Sequence, residues 1–296
     1  MEEYVIHREE RKNMELILKT IKNTQDLMLS YHVSNYDHNF LIEIEKQQYE
    51  DFKKYNTHLK KYANIFDCYQ NYKKSEAMIE DYIRTIDDHD NQNLNDIYRN
   101  CKYLFMQNIM FGRVFIDNIK SYCKQLDRFD LKREISIFES LDDFKMLKLL
   151  RDFAQHFSLP FSNLKTRYSP MQEKTIGIEP LISTYELNQN KNGNKQNKEY
   201  LKTLKEDEIS IVMYFEKWSD GIDELFLKVK DDFLLLTDSQ MKQFIVSNIL
   251  CFIGVNDFVP VGLAKAKQLN NHVGMYQTEE FLPFDELVLI HLFLEK

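Results

Sequence analysis

The segment 151–156 (RDFAQH) holds residue types that can do acid–base chemistry on a phosphate ester. Histidine exchanges protons near neutral pH, so His156 could move a proton to or from a ribose 2′-hydroxyl or a leaving oxygen. The guanidinium of Arg151 could hold the negative charge that builds up on phosphoryl oxygens. These two groups supply the parts needed to cleave RNA without a metal ion or another cofactor.

A helix would hold these side chains together, and the pattern of residues 144–157 predicts such a helix. At about 100° per residue, apolar residues cover one broad face and polar residues the other, with Phe144 as the one exception. Arg151 and His156 then lie near opposite edges of the polar face. Asp152 precedes His156 by one turn, where its carboxylate could orient the imidazole or raise its pKa.

Basic residues surround the same segment. Lys145 and Lys148 share the polar face of this helix and are the residues expected to bind RNA phosphates. Residues 101–168 contain 12 lysines and arginines against 8 acidic residues, although the whole chain has a net charge of -8. An acidic chain is not expected to coat nucleic acid, so the sequence predicts a local RNA contact only.

The arrangement resembles the HEPN superfamily. The signature of that family is an arginine, usually followed by a polar residue, and a histidine after four to six intervening positions on a bundle helix. Here Arg151, the polar Asp152 and His156 match it, with four residues between the arginine and the histidine. The resemblance covers about residues 94–165, because the helix predicted at 94–126 stands where a HEPN bundle has its neighbouring helix.

The resemblance implies a function and a set of partners. Many HEPN proteins are metal-independent endoribonucleases of toxin or antiviral defence systems, in which two protomers of a homodimer build one composite Arg/His site on RNA. A homodimer is expected here because one helix supplies only one histidine. The chain contains no Gly-Ser dipeptide and so lacks the nucleotidyltransferase signature that accompanies some HEPN toxins. An antitoxin or regulatory protein would therefore be a separate polypeptide.

Two alternatives compete with this interpretation. Arg84 and His89 have the same spacing, but they fall where a predicted helix runs into a polar loop without basic neighbours. Arg151 and His156 could also make ordinary surface contacts with nearby acidic residues. The protein would then be a non-catalytic helical interaction or assembly protein, with a long helix at about 39–86 and an acidic surface.

The composition predicts a mostly α fold. Hydrophobic residues make up 43% of the chain and charged residues 29%, as in folded globular proteins. Only 7 glycines and 5 prolines are present, which favours long helices over a turn-rich β fold. We therefore expect a helical bundle with long helices, a small β element near 175–187 and a second helical part. Helical periodicity is found at about 2–30, 39–86, 94–126, 140–158 and 199–236, with a break near 219–221 in the last stretch. Aromatic residues spaced by three and four within 52–69 predict a bundle seam, and Ser140 is the predicted N-cap of the helix at 140–158. A capping box (TDSQ) at 237–240 opens one more helix, and the tail ends in a short apolar segment at 287–294.

Two domains are expected. A helical bundle would occupy residues 1–168 and include the HEPN-like region at about 94–165. A β element and a C-terminal helical part would occupy 169–296. The polar segment at about 188–198 (NQNKNGNKQNK) is the predicted linker.

The sequence also predicts a location and a chemistry without metals. The first residues are acidic with no apolar signal segment, and the longest apolar stretch, 244–255, is too short to cross a bilayer. Four scattered cysteines without a C-x-x-C pair indicate reduced thiols. We therefore expect a soluble, cytoplasmic protein that makes no membrane contact and has no metal site and no cofactor.

Overall fold

The computed structural model describes residues 2–9, 38–44, 46–84, 94–155, 159, 161–169, 174–190, 194–248, 261–267, 275–281 and 286–293. Most of these residues are helical, and a small three-stranded antiparallel sheet lies near the predicted β element. The predicted mostly α fold class is therefore confirmed.

The described residues form nine helices and seven strands. The helices are α1 (Lys46–Arg84), α2 (Leu94–Gln125), α3 (Phe129–Phe138), α4 (Asp142–Ala154), α5 (Thr184–Asn188), α6 (Lys195–Leu201), α7 (Ile211–Leu235), α8 (Ser239–Asn248) and α9 (Glu286–Phe293). The strands are β1 (Glu2–Glu9), β2 (His38–Ile44), β3 (Phe161–Ser169), β4 (Lys174–Ser183), β5 (Glu208–Ser210), β6 (Val261–Lys267) and β7 (Met275–Phe281).

The chain forms two compact units. The central unit comprises residues 64–231, and the terminal unit comprises residues 1–63 together with 232–296. The boundary expected near residue 168 and the expected linker at 188–198 both fall inside the central unit. The division into the two predicted domains stays a prediction.

The core of the central unit is apolar and lies between α2, α4 and α7. On α4 five residues of the predicted apolar face are buried, namely Met146, Leu147, Leu149, Leu150 and Phe153. Phe144, the one residue that broke the pattern, is buried as well. Its ring packs on Gly221 of α7, where an added Cβ would lie 2.5 Å from Phe144 Cε2. The exception to the pattern therefore marks a close approach of two helices. A break predicted in the helix near Gly221 is wrong, because α7 continues through it.

A layer of hydrogen-bonded polar side chains crosses this core. Trp218 Nε1 donates to Asn108 Oδ1 at 3.2 Å, and Asn108 Nδ2 donates to Ser75 Oγ at 3.0 Å. Ser219 Oγ donates to the carboxylate of Glu76. These residues come from α1, α2 and α7, so the layer fixes how three helices of the central unit align.

The small sheet of the central unit has the strand order β3-β4-β5. Phe161 of β3 pairs with Ile182 of β4, and Leu181 of β4 pairs with Ser210 of β5, both antiparallel. β4 confirms the β element predicted near 175–187 as far as Ser183. The Ser183 hydroxyl then accepts from the backbone N–H of Glu186 and caps α5.

The terminal unit contains the first part of α1, residues 46–63, and a second sheet in the order β2-β1-β6-β7. Tyr55 and Tyr62 of the aromatic seam predicted on α1 are buried, and they pack on Phe233 with ring centroids 5.8 and 4.8 Å apart. The prediction of helix at 2–9 and 39–44 is wrong, because these residues are β1 and β2. Antiparallel pairing with a distant segment outweighs local periodicity there, as in the pair Val5 and Ala264. Residues 10–30 lie outside the described residues.

Two predicted helix starts need correction. Ser140 does not cap α4, because its hydroxyl donates back to the Ile137 carbonyl and Leu141 is the N-cap. The stretch 199–236 is not one helix, since α6 ends at Leu201 and α7 begins after β5. The capping box at 237–240 does open α8, with Asp238 Oδ1 accepting from Met241 N at 2.7 Å.

Candidate functional site

The polar face of α4 carries four of the five predicted site residues. Lys145 is exposed, Lys148 is half-buried, and the side chains of Arg151 and Asp152 are 21% and 20% exposed. We call these four residues the α4 strip. The fifth, His156, lies outside the described residues, so the Arg151–His156 pairing stays a prediction. In the competing pair, Arg84 is the last residue of α1 and His89 also lies outside the described residues.

Arg151 lies between two carboxylates. Its Nε is 3.2 Å from Asp152 Oδ1, and its Nη2 is 3.8 Å from Asp117 Oδ2 on α2. The Nε contact is an ion pair without hydrogen-bond geometry. Among the described residues, Arg151 Nη1 contacts no acceptor. The guanidinium is thus contacted by carboxylates of two helices, α2 and α4.

Asp152 is held from the other side by α6. Its Oδ2 accepts hydrogen bonds from Asn194 Nδ2 at 3.0 Å and from Asn197 Nδ2 at 2.8 Å. Asn197 is almost fully buried, and Asn194 caps α6 through its own side chain. Both oxygens of Asp152 therefore have partners within the central unit. The predicted orientation of His156 by Asp152 stays a prediction.

The ion pairs continue from Arg151 across α2 to the end of α3. Asp117 Oδ1 lies 3.2 Å from Arg113 Nη2, and Arg113 Nη1 lies 3.2 Å from Glu139 Oε1. Lys120 Nζ donates to the same Glu139 oxygen at 2.6 Å. We call this set, with Arg151 and Asp152, the ion-pair chain. It alternates three cations with three carboxylates and has no net charge.

Two opposing effects, burial and neighbouring positive charges, act on the pKa of Glu139 in the ion-pair chain. Burial opposes ionisation of its carboxyl group, but the hydrogen bond from Lys120 and the charges of Lys120 and Arg113 outweigh that cost. The pKa of Glu139 therefore lies below its usual value of 4.5. The Arg113 side chain is only 3% exposed, so these carboxylates offset the cost of burying its positive charge.

A groove of about 750 Å³ runs along the α4 strip, between α4, the end of α3 and α6. Lys145 and Lys148 line one wall. Gln196 and Glu199 of α6 line the opposite wall, and the Lys148 ammonium donates to Gln196 Oε1 at 3.0 Å. Both lysines predicted to bind phosphate thus face a cavity of ligand size.

An exposed apolar stripe lies on α2 beside the site. Tyr103 is 60% exposed and Val114 is 43% exposed. On a helix both lie within about 60° of Asp117, the residue that contacts Arg151. Val114 is one turn from Asp117, whereas Tyr103 lies about 21 Å from Asp117 along the helix axis. The stripe therefore reaches the candidate site at Val114.

Sequence reasoning missed the partners of the predicted residues. Asp117 and Arg113 were detectable only as an oppositely charged pair four residues apart on a helix. Asn194, Gln196 and Asn197 were assigned to a linker because their segment is polar and repetitive. Their role is visible only in three dimensions, because they contact α4 across more than forty intervening residues.

The part of the chain that the structure describes has neither a metal-binding cluster nor a membrane-spanning helix. It contains no group of three or more His, Cys, Asp or Glu side chains that could hold a metal ion. None of its helices has both the length and the apolar character that a bilayer crossing requires.

Comparisons with family models, curated proteins and solved structures found no match. The candidate site therefore rests on the geometry of this chain alone.

Proposed function

We propose that the protein is a metal-independent, HEPN-like endoribonuclease that acts as a homodimer. The observation that carries the proposal is the position of Arg151. Its guanidinium is oriented by Asp117 and Asp152 and keeps Nη1 for a phosphate, in line with Lys148 and Lys145 along α4. A phosphate-binding arginine needs this kind of fixed orientation, because catalysis favours groups positioned before the substrate arrives.

In this mechanism His156 of one protomer takes the proton from a ribose 2′-hydroxyl. The 2′-oxygen then attacks the adjacent phosphorus while Arg151 stabilises the charge on the phosphoryl oxygens. The bond from phosphorus to the 5′-oxygen breaks, and the second histidine of the dimer protonates that leaving oxygen. The products are a 2′,3′-cyclic phosphate and a 5′-hydroxyl, with no metal ion or cofactor consumed.

The homodimer is supported by the apolar stripe on α2. Val114 exposes apolar surface next to Asp117, and Tyr103 extends the exposed surface along the same face of α2. Such surface beside a polar site is typical of an interface. A partner packed there would bring a second copy of the site to the same edge. A separate antitoxin or regulatory protein and a cytoplasmic location remain predictions from the sequence.

The proposal is tested by RNA cleavage in the presence of EDTA. The wild type is compared with Arg151→Ala, Arg151→Lys and His156→Ala. Each alanine variant should lose about 10²–10⁴ in the single-turnover rate. Arg151→Lys should also lose most activity, because one ammonium cannot contact both carboxylates and a phosphate. The exposed Arg99→Ala is the matched control and should retain the wild-type rate.

Two results would contradict the proposal. Equal cleavage by all of these proteins would mean a contaminating nuclease. No cleavage of any RNA by a folded wild-type dimer would leave Arg151 and His156 without a catalytic role. A 2′-deoxy substitution at the cleaved nucleotide must also abolish cleavage, since the attacking oxygen is then missing.

A second function is favoured by the ion-pair chain itself. Its cations and carboxylates are equal in number and connect α2, α3 and α4, while Asp152 adds α6. A purely structural role of Arg151 would make the protein a non-catalytic helical interaction or assembly protein. In that case Arg151→Ala would lower the free energy of unfolding, and wild type and variant would both leave RNA intact.

A further inference from the structure

The groove along the α4 strip has two chemically different walls. The α4 wall carries the ammonium groups of Lys145 and Lys148, and Asp142 and Glu139 also line this end of the groove. The charge of Glu139 is matched by Lys120 and Arg113. The α6 wall carries the amide of Gln196 and the carboxylate of Glu199, one turn apart on the same helix. A phosphate is attracted to the first wall, whereas neutral donors and acceptors are matched by the second.

Hydrogen bonds fix the separation of these walls. Lys148 Nζ donates to Gln196 Oε1 at 3.0 Å. At the far end of the α4 strip, Asp152 accepts hydrogen bonds from Asn194 and Asn197. At the near end, Tyr200 Oη donates to the Asp142 carbonyl at 3.1 Å. The groove is therefore bridged along its length by direct contacts. A groove interrupted in this way suits one unpaired nucleotide better than a continuous duplex.

The donors and acceptors of the α6 wall are only partly used. Gln196 accepts from Lys148 through Oε1, so its amide nitrogen remains a donor. Glu199 contacts Lys195 at 3.8 Å, and both side chains are largely exposed. One donor and one acceptor one turn apart can read the edge of an unpaired base, where donors and acceptors also stand side by side.

We propose that this groove is a subsite for one unpaired nucleotide of the RNA, with its phosphate on Lys145 and its base edge on Gln196 and Glu199. This inference rests on the proposed function, because it places RNA on the same α4 strip. The volume of about 750 Å³ lies within the range of sites that hold small polar ligands. In this arrangement α6 is a substrate wall, and Lys148 holds it in place.

The proposal is tested by binding under conditions without cleavage. A fluorescent single-stranded oligonucleotide with 2′-O-methyl groups is titrated with the full-length protein, and its anisotropy is recorded over a range of salt concentrations. A blunt duplex of the same sequence is titrated in parallel. The proteins are the wild type, Lys145→Ala, Gln196→Ala and, as matched control, Lys124→Ala, an exposed lysine near the end of α2.

Lys145→Ala should bind the single strand about tenfold more weakly, because a charge-assisted contact is lost. The slope of log K against log salt should become shallower by about 0.7, as one phosphate contact disappears. Gln196→Ala should lose several-fold in single-strand affinity without a change in salt slope. The affinity for the duplex should be low and equal in all four proteins, and Lys124→Ala should match the wild type.

Other outcomes overturn the proposal. Tighter binding by Gln196→Ala would show that α6 competes with RNA for Lys148 and acts as a cover. Equal binding by Lys145→Ala and Lys124→Ala would place the RNA elsewhere. Thermal melting of Gln196→Ala, followed by circular dichroism, checks that the substitution has not perturbed the fold. Gln196→Glu is the second variant. It should preserve the acceptor for Lys148 but repel phosphate.

The cleavage assay separates this inference from the proposed function. Loss of cleavage in Arg151→Ala with unchanged binding by Lys145→Ala would keep the ribonuclease and overturn the subsite. Weakened binding by Lys145→Ala and Gln196→Ala, with no cleavage by the wild type, would keep the subsite and overturn the ribonuclease.

Discussion

Glu139 caps the end of α3 and contacts two cations of α2, and its ionisation should make stability depend on pH. Its pKa in the folded protein lies below 4.5 because Lys120 and Arg113 outweigh the cost of burial. A lowered pKa means that this contribution is complete above about pH 4.5 and is lost as the pH falls through the folded pKa.

The test uses Glu139→Gln and urea unfolding across this range. Near pH 7 the variant should be less stable than the wild type by about 1–2 kcal/mol, because Lys120 and Arg113 lose their shared carboxylate. The difference should shrink as the pH falls below about 4. A difference that is constant with pH would show that the side chain acts through packing and not through its charge.

Asn108 is the central residue of the buried polar layer. Asn108→Ala would leave Trp218 Nε1 and Ser75 Oγ without this partner in the interior, so we expect a loss of about 2–4 kcal/mol in the free energy of unfolding. Asn118→Ala is the matched control. It removes a hydrogen bond to the Val114 carbonyl at a less buried position of the same helix, and should cost below about 1 kcal/mol. Equal losses would contradict the role of the layer.

At the scale of elements, the contact of α4 with α7 depends on the absence of a side chain at Gly221. Gly221→Ala would place a Cβ 2.5 Å from Phe144 Cε2, so the buried ring must move. We expect a net loss of about 1–2 kcal/mol, since overpacking outweighs the gain in helix propensity.

Gly112→Ala on α2 is the comparison for this variant. Its Cβ would meet Ile222 Cδ1 at 3.2 Å and Tyr72 Cε2 at 3.3 Å, so neighbours need to give by only a few tenths of an ångström. In chemical denaturation, Gly221→Ala should therefore have a lower free energy of unfolding than Gly112→Ala. The reverse order would mean that Phe144 has room to rotate away.

Some elements were predictable because their signal is local. The apolar face of α4 and the aromatic seam of α1 follow from spacing within one helix, and the burial of Leu147 and Tyr62 agrees with them. The partners of Arg151 and Asp152 were not predictable. Asp117 and Asn197 reach them across turns and strands, and no periodicity within one element encodes such a contact. The same reason explains β1, whose pairing partner lies near the other end of the chain.

At the scale of the whole molecule, the proposed RNA-binding surface and the proposed self-association surface belong to the same part of an acidic chain. The basic segment 101–168 includes both the α4 strip and the α2 stripe with Val114. Val114→Glu should therefore convert the proposed dimer into a monomer, because a charge would be buried in an apolar interface. The loss of the dimer should also reduce RNA cleavage, since each composite site needs two histidines.

Light scattering coupled to size-exclusion chromatography measures this effect, with cleavage recorded on the same samples. Leu227→Glu is the matched control, because Leu227 is an exposed apolar residue on α7, 57% exposed. It should leave both the mass and the activity unchanged. A wild type that is already monomeric yet cleaves RNA would contradict the need for a partner.

The pairing of Val5 with Ala264 has a consequence for biosynthesis. The central unit is one continuous stretch of chain, so it can fold while the ribosome is still adding residues beyond it. The terminal unit cannot, because β1 leaves the ribosome early and must wait for β6. During that interval the edge of β1 that pairs with β6 is a target for aggregation, so a nascent-chain chaperone would protect this protein most at β1.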